Sequence, residues 1–335
     1  MAEQFTVPVV DITPYVQGGT EAQRAATAAA LDTACRTVGF IQIVGHAIPA
    51  GVVDGLTAAV DDFFALPLEA KGAYRSRANR GYTPPKSESL SLSLGVESAT
   101  RMNDFFEAFN VGVPEQGENL WPVEAAHFRP GVEAWFAEAG RVARVLTRVF
   151  ADALDLPPTF FDEFTDHSLD VLRMNNYALP AGTDVTLDGD LTGMGEHTDY
   201  GIVTVLWADQ VRGLQVLDGD GDWHDVVPAD GALLVNLGDL MARWTNERWM
   251  STLHRVKPPV VAGTIERRRS AAFFHDGNRD AVIRAIPSCV APGAEPLYPP
   301  ITVGEHISAK LAGSRAGKVN ATAEREAARV LAARN

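Results

Sequence analysis

Gly195-Glu196-His197-Thr198-Asp199-Tyr200-Gly201 sets an imidazole and a carboxylate two residues apart, just ahead of the apolar run Ile202 to Leu206. On extended backbone, residues i and i+2 share a face, so His197 and Asp199 can chelate one ion. Alone the triplet is weak. With eight His and 43 acidic residues in the chain, a His-x-acid triplet is expected about once by chance. A third ligand is offered by His254 in Ser251-Thr252-Leu253-His254-Arg255-Val256, a strand-like segment downstream. Two imidazoles and one carboxylate make a facial triad with open coordination positions, an arrangement suited to Fe(II) that must also bind an organic chelator and O2. Zinc hydrolases use the same ligand types, so at this point the metal stays open. The other histidines, His46, His127, His167, His224, His275 and His306, lack a matching second ligand nearby and read as surface or packing residues.

The elements that must position such a site change character along the chain. Glu21 to Val38 is Ala-rich, with Leu31, Ala34, Cys35 and Val38 at helical spacing, and Gly39 to Val44 reads as a strand. A helix near Gly51 to Ala65 follows Pro49, and the Gly/Ser/Pro-rich stretch from Ser76 to Ser98 reads as a long loop of the kind that often carries function. Gly131 to Leu154 is the clearest helix, with Val132, Trp135, Phe136, Ala139, Val142, Leu146, Val149 and Phe150 on one face. Beyond Pro157-Pro158 come short apolar runs that read as strands: Leu172 to Tyr177, Ile202 to Leu206, Leu214 to Leu217, Trp223 to Val227, Ala232 to Leu237 and Ser270 to Phe274. Asp218-Gly219-Asp220-Gly221-Asp222 supplies hairpin residues, and it lacks the downstream Glu that an EF-hand loop requires. A final Ala-rich helix is expected from Ala321 to Ala333. Helices around many short strands predict a β sandwich or barrel with helical support.

The 335 residues can bury a large core. Cys35 and Cys289 offer neither a disulfide framework nor a cysteine zinc site, which fits a reducing compartment. A formal charge of −14 argues against nucleic acid as a partner, and no run reaches the length of a membrane span. A cytoplasmic protein, a monomer or weak homo-oligomer, is expected.

Several segments in order resemble the isopenicillin N synthase-like family of Fe(II)/2-oxoglutarate-dependent oxygenases, over nearly the whole chain. They are Val7-Pro8-Val9-Val10-Asp11, then Cys35-Arg36-Thr37-Val38-Gly39-Phe40 with Gly45-His46, and Asn236-Leu237-Gly238-Asp239 with Trp244-Thr245-Asn246 leading into Ser251 to Val256. The resemblance implies an α+β chain with a mainly β core: a double-stranded β-helix, the cupin-like jelly roll, supported by N-terminal and C-terminal helices. It transfers the iron ligands to His197, Asp199 and His254. It also makes Arg268 and Ser270, on one strand face, the grip on the distal carboxylate of 2-oxoglutarate. Arg173-Met174-Asn175-Asn176-Tyr177 looks like the family's Arg-x-Asn-x-Tyr strand, with Asn175 and Tyr177 turned toward the oxoacid.

What this implies is one catalytic unit over 1–335. A mixed N-terminal segment covers 1–115, the β-helix core with its supporting helix 116–300, and a C-terminal helical segment 301–335. The expected reaction is oxidation of an unactivated C–H bond of a small molecule with O2, releasing succinate and CO2. Hydroxylation is the default; desaturation or cyclisation are variants set by substrate placement. Candidate substrate contacts are Arg80, Tyr82, Phe106 and Phe274. The Ala- and Arg-rich composition fits a high-GC bacterial source and a role in secondary metabolism. Two other readings stand beside this one: a 2-oxoglutarate-independent Fe(II) oxidase or cyclase of the same family, and a non-catalytic binding protein on the same scaffold.

Overall fold

The computed structural model describes residues 5–76, 78–94, 104–178, 193–257, 260–261, 264–318, 320, 325 and 328. Strand β1 (Val9–Asp11) and helix α1 (Thr13–Val16) precede α2 (Glu21–Thr37), which starts at a capping box. There Gln23 N donates to Thr20 Oγ1 at 3.3 Å, while Thr20 N donates back to the Gln23 side chain at 2.8 Å. After β2 (Phe40–Val44), α3 (Ala50–Phe64) and α4 (Leu68–Gly72) each begin behind a proline. Helix α5 (Phe128–Ala153) buries the apolar stripe that its spacing predicts.

The strands that follow are β3 (Gly81–Thr83), β4 (Glu107–Gly112), β5 (Val171–Tyr177), β6 (Met194–His197), β7 (Val203–Ala208), β8 (Leu214–Leu217), β9 (Trp223–Asp225), β10 (Leu233–Leu237), β11 (His254–Val256), β12 (Val260–Val261), β13 (Thr264–Ile265), β14 (Arg268–His275), β15 (Val282–Ile283) and β16 (Ile301–Thr302). Helices α6 (Asp162–Thr165), α7 (Asp239–Trp244) and α8 (Val303–Ala316) lie between or after them. Eight strands pair in the order β1-β2-β10-β7-β14-β5-β4-β3, and four in the order β6-β11-β8-β9. The two sheets are the expected jelly roll.

Alternation divides the large sheet into two faces. Leu172 and Met174 of β5 and Ala271 and Phe273 of β14 face the helices, where Phe273 meets Phe136 of α5 edge-on at 5.0 Å. Their neighbours Val171, Arg173, Asn175, Tyr177, Arg268, Ser270, Ala272 and Phe274 line the space between the sheets. A second, smaller core of Phe40, Phe106, Tyr177, Leu214, Val216, Leu234 and Val256 fills that space at one end.

Two expectations change. The stretch from Ser76 to Ser98, read as loop, contains β3 and a 3-10 turn at Leu90–Leu94, and the rest of it lies partly outside the described residues. Its strand is three residues long and begins at a glycine, too short to show a period. Strand β4 was not expected because polar Glu107 and Asn110 break its apolar run, although all six of its residues are buried. The helix expected from Ala321 to Ala333 falls, apart from 325 and 328, outside the described residues. No helix among the described residues is long and apolar enough to cross a membrane.

Helix α8 is fastened by charge. Lys310 Nζ sits 2.6 Å from Asp239 Oδ2 with both side chains fully buried, and Asp239 also accepts from Ser251 Oγ at 2.8 Å and Thr198 Oγ1 at 3.1 Å. Removing one partner strands a buried charge. Lys310→Met should therefore lower the unfolding free energy in urea by about 3–5 kcal/mol, and adding Asp239→Asn should recover part of the loss.

His306, 3.9 Å from Asp239, is held down to about 3 by burial, which outweighs the attraction of Asp239. The unfolded chain takes up that proton near pH 6.5 and the folded chain only near 3, so its contribution is complete above pH 6.5 and is lost as pH falls. At pH 5 the loss is about 2 kcal/mol relative to pH 7. His306→Leu should flatten this part of the pH dependence of urea unfolding.

Candidate active site

Strands β6 and β11 run antiparallel with His197 directly opposite His254. His197 Nδ1 lies 2.7 Å from Gly195 O and His254 Nδ1 lies 3.1 Å from Thr252 O. A carbonyl can only accept, so each Nδ1 carries the proton and each Nε2 presents its lone pair inward. Burial, then the neighbouring His254, pushes His197 down to about 3, which keeps the ring neutral and able to ligate.

Asp199 completes the group. Its Oδ2 accepts from Thr204 Oγ1 at 2.5 Å and Asn236 Nδ2 at 2.6 Å, which turns Oδ1 toward the two imidazoles. Oδ1 lies 3.8 Å from His197 Nε2 and 3.7 Å from His254 Nε2, too far for hydrogen bonds and spaced for an ion between them. The backbone is pinned too, with Asp239 N donating to Asp199 O at 2.8 Å. A Cβ on the neighbouring Gly238 would stand 2.2 Å from Gly201 O, so only glycine permits that approach. Among the described residues, His197, Asp199 and His254 form the group whose ligand atoms converge within 4.8 Å. Two imidazoles and a carboxylate with outer hydrogen bonds suit a divalent metal of intermediate hardness.

The triad opens on a cavity of about 1010 Å³, its mouth included. Arg268 stands on the cavity wall, 2% exposed, with Nε and Nη1 buried and without a hydrogen-bond partner among the described residues. Its Cζ lies 5.3 Å from the Tyr177 ring centroid, a weaker compensation than a counterion. Ser270 shares its strand face and accepts from Asn175 Nδ2 at 3.3 Å. A buried guanidinium left open this way fits a carboxylate that it can grip with two parallel N–H groups.

Phe274 also lines the cavity, further along the same face. The other expected substrate contacts stand elsewhere. Arg80 is buried against Gly112 and donates to Asn79 O; Tyr82 OH donates to Glu107 at 2.7 Å; and Phe106 packs on Tyr177 in the small core between the sheets, with ring centroids 5.6 Å apart. In their place the wall carries Asn79, Glu88, Asn110, Arg173 and Arg315. Arg173 was legible, being two residues before Asn175 on the same strand face. Asn110 lay in the unrecognised β4, and Arg315 in a helix with no strong amphipathic signal. Of the two residues that orient Asp199, Asn236 opens the Asn236-Leu237-Gly238-Asp239 segment of the resemblance, whereas Thr204 had no sequence signal beyond lying on a predicted strand.

Residues 7–124 match the family described as non-haem dioxygenase in morphine synthesis N-terminal, and 169–277 match the 2OG-Fe(II) oxygenase superfamily. The chain is 35% identical over 314 residues to a 2-oxoglutarate-Fe(II) type oxidoreductase of Emericella nidulans, covering 90% of this chain and 88% of that one. It is 32% identical over 322 residues to the validamycin A dioxygenase of Streptomyces hygroscopicus subsp. limoneus, covering 91% and 86%. Among solved structures, a full-length Neurospora crassa protein in complex with alpha-KG and 5-formyluracil superposes with a TM-score of 0.82 at 28% identity, covering 93% of this chain and 97% of that one. Relatedness of this extent, on a jelly roll whose inner face carries a convergent His-Asp-His group, places the chain in the 2OG-Fe(II) oxygenase superfamily, as a dioxygenase that uses Fe(II), 2-oxoglutarate and O2.

Proposed function

We propose that the protein oxidises an unactivated C–H bond of a small molecule, with hydroxylation as the default outcome, and that His197, Asp199 and His254 hold the iron. The observation that carries the oxoacid assignment is Arg268, a buried cation with two free donors on the same wall as Ser270. Arg268 and Ser270 bind the distal carboxylate, while Asn175 and Tyr177 shape the same end of the cavity. Iron and 2-oxoglutarate together supply reductive activation of O2, coupled to loss of CO2 and formation of succinate.

The chain's own residues hold and orient. Thr204 and Asn236 fix the Asp199 carboxylate, and the carbonyls of Gly195 and Thr252 fix both imidazole tautomers. Leu206, Leu214, Val256 and Phe40 keep water from the reacting side. A small-molecule substrate is supported by the relatives, one named for validamycin A and another crystallised with thymine and with 5-formyluracil.

Anaerobic titration of the Fe(II)-loaded protein with 2-oxoglutarate should raise a weak visible charge-transfer band, and turnover with substrate should release succinate. Arg268→Ala should retain iron and weaken 2-oxoglutarate about 100-fold, from the loss of charge-assisted hydrogen bonds. His197→Ala should lose iron itself, read by metal analysis after gel filtration. Unchanged oxoacid affinity in the Arg268 variant, or equal iron loss in both, would contradict these roles.

A further inference from the structure

Beyond the triad, the cavity wall carries a chain of polar groups whose hydrogen-bond direction is fixed from one end. Arg315, in the last turn of α8, donates through Nη2 to Asn79 Oδ1 and through Nε to Glu88 Oε1 at 3.3 Å. A guanidinium can only donate, so Asn79 must turn its amide oxygen to Arg315. Asn110 Nδ2 donates to that same oxygen at 2.8 Å. The orientation of Asn110 follows: its nitrogen is engaged, and its Oδ1 is left on the cavity wall, buried and without a partner among the described residues. A buried acceptor left unpaired costs about 1–3 kcal/mol, so Asn110 Oδ1 favours a ligand that brings an N–H or O–H to it.

Arg173 lies directly across from Asn110 on the neighbouring strand. Its Nε donates to Asn175 Oδ1 at 3.2 Å and its Nη2 to Glu88 Oε2 at 2.6 Å, which leaves Nη1 without a hydrogen bond among the described residues. Burial works to raise the Glu88 carboxyl, but Arg173 and Arg315 outweigh it and hold it below its usual range, so Glu88 is the counterion of both arginines. Opposite Arg173 on β14 stands Ala272, whose small side chain leaves room above the sheet, with Leu206 on its far side and Phe274 two residues along the same face.

We infer that Asn110 and Arg173 read the edge of a neutral cyclic amide, a lactam or imide, whose N–H donates to Asn110 Oδ1 and whose carbonyl accepts from Arg173 Nη1. This rests on the proposed function in taking the cavity as the substrate chamber. A carboxylate has no donor for Asn110 and would set two oxygens against a third. An ammonium brings no acceptor for Arg173 Nη1. A flat ring fits over Ala272, with Phe274 and Leu206 as apolar cover.

The test is calorimetry on the Mn(II)-loaded protein under nitrogen, with and without 2-oxoglutarate, titrated with 2-quinolone, N-methyl-2-quinolone and 2-naphthoate. In the wild type 2-quinolone should bind, N-methylation should weaken binding about tenfold or more, and 2-naphthoate should bind more weakly than 2-quinolone. Asn110→Ala, its fold checked by an unchanged 2-oxoglutarate affinity, should bind the N–H and N–CH3 compounds alike. Equal wild-type affinity for those two, tighter binding of 2-naphthoate, no lactam binding at millimolar concentration, or an N–H preference that survives in Asn110→Ala would each overturn the assignment. If that variant does not fold, the wild-type comparison decides. Failure of 2-oxoglutarate to bind falls on Arg268 alone, because the lactam pair is also compared without the oxoacid.

Discussion

The register between β6 and β11 sets His197 opposite His254, and the rest of the site is arranged around that pairing. Side chains alternate along a strand, so a slip of one residue would turn one imidazole out of the cavity. With the register fixed, the carbonyls two residues before each histidine engage Nδ1, and both Nε2 lone pairs face one point. Asp199 joins them from the turn after β6, aimed by Thr204 on β7 and Asn236 on β10, which are themselves cross-strand partners. The small sheet therefore carries two ligands and the large sheet aims the third.

Asp239 ties those parts to the outside of the fold. It accepts from Thr198 Oγ1, between two ligands, and from Ser251 Oγ, three residues before the other. Its buried partner Lys310 belongs to α8, the helix that also delivers Arg315 to the cavity wall. A buried ion pair contributes little net stability but is expensive to break, so it fixes position more than it adds strength. Here it fixes the triad segments and the cavity wall to one helix.

Much of the fold was legible because helix α5 carries one apolar stripe and strands β5, β7, β8, β10 and β14 fall on short apolar runs, and the ordered motifs added the jelly roll. Strand β4 was not legible because Glu107 and Asn110 interrupt its apolar residues although all six are buried. The convergence of His197, Asp199 and His254, and the shared strand face of Arg268 and Ser270, follow from short segments of recognisable strand. Arg80, Tyr82 and Phe106 were read as substrate contacts from their neighbourhood alone, and burial engages them in packing and hydrogen bonds away from the triad's cavity lining. The wall itself is assembled from Asn79, Glu88, Asn110 and Arg315, four residues on separate segments whose meeting no local pattern encodes.

Two arginines on strands of the same sheet show why local type does not decide what a cavity binds. Arg268 and Arg173 face the same space, and both are nearly excluded from solvent. Arg173 has Glu88 at 2.6 Å, a counterion it shares with the more exposed Arg315, and so offers a hydrogen bond with its charge largely balanced. Among the described residues Arg268 has the Tyr177 ring and two free donors, so its charge remains to be balanced by whatever binds beside it. An anionic co-substrate is therefore favoured at the Arg268 end and a neutral ligand at the Arg173 end. The cost of burying charge sorts the two molecules along a cavity that apolar contact alone would leave undivided.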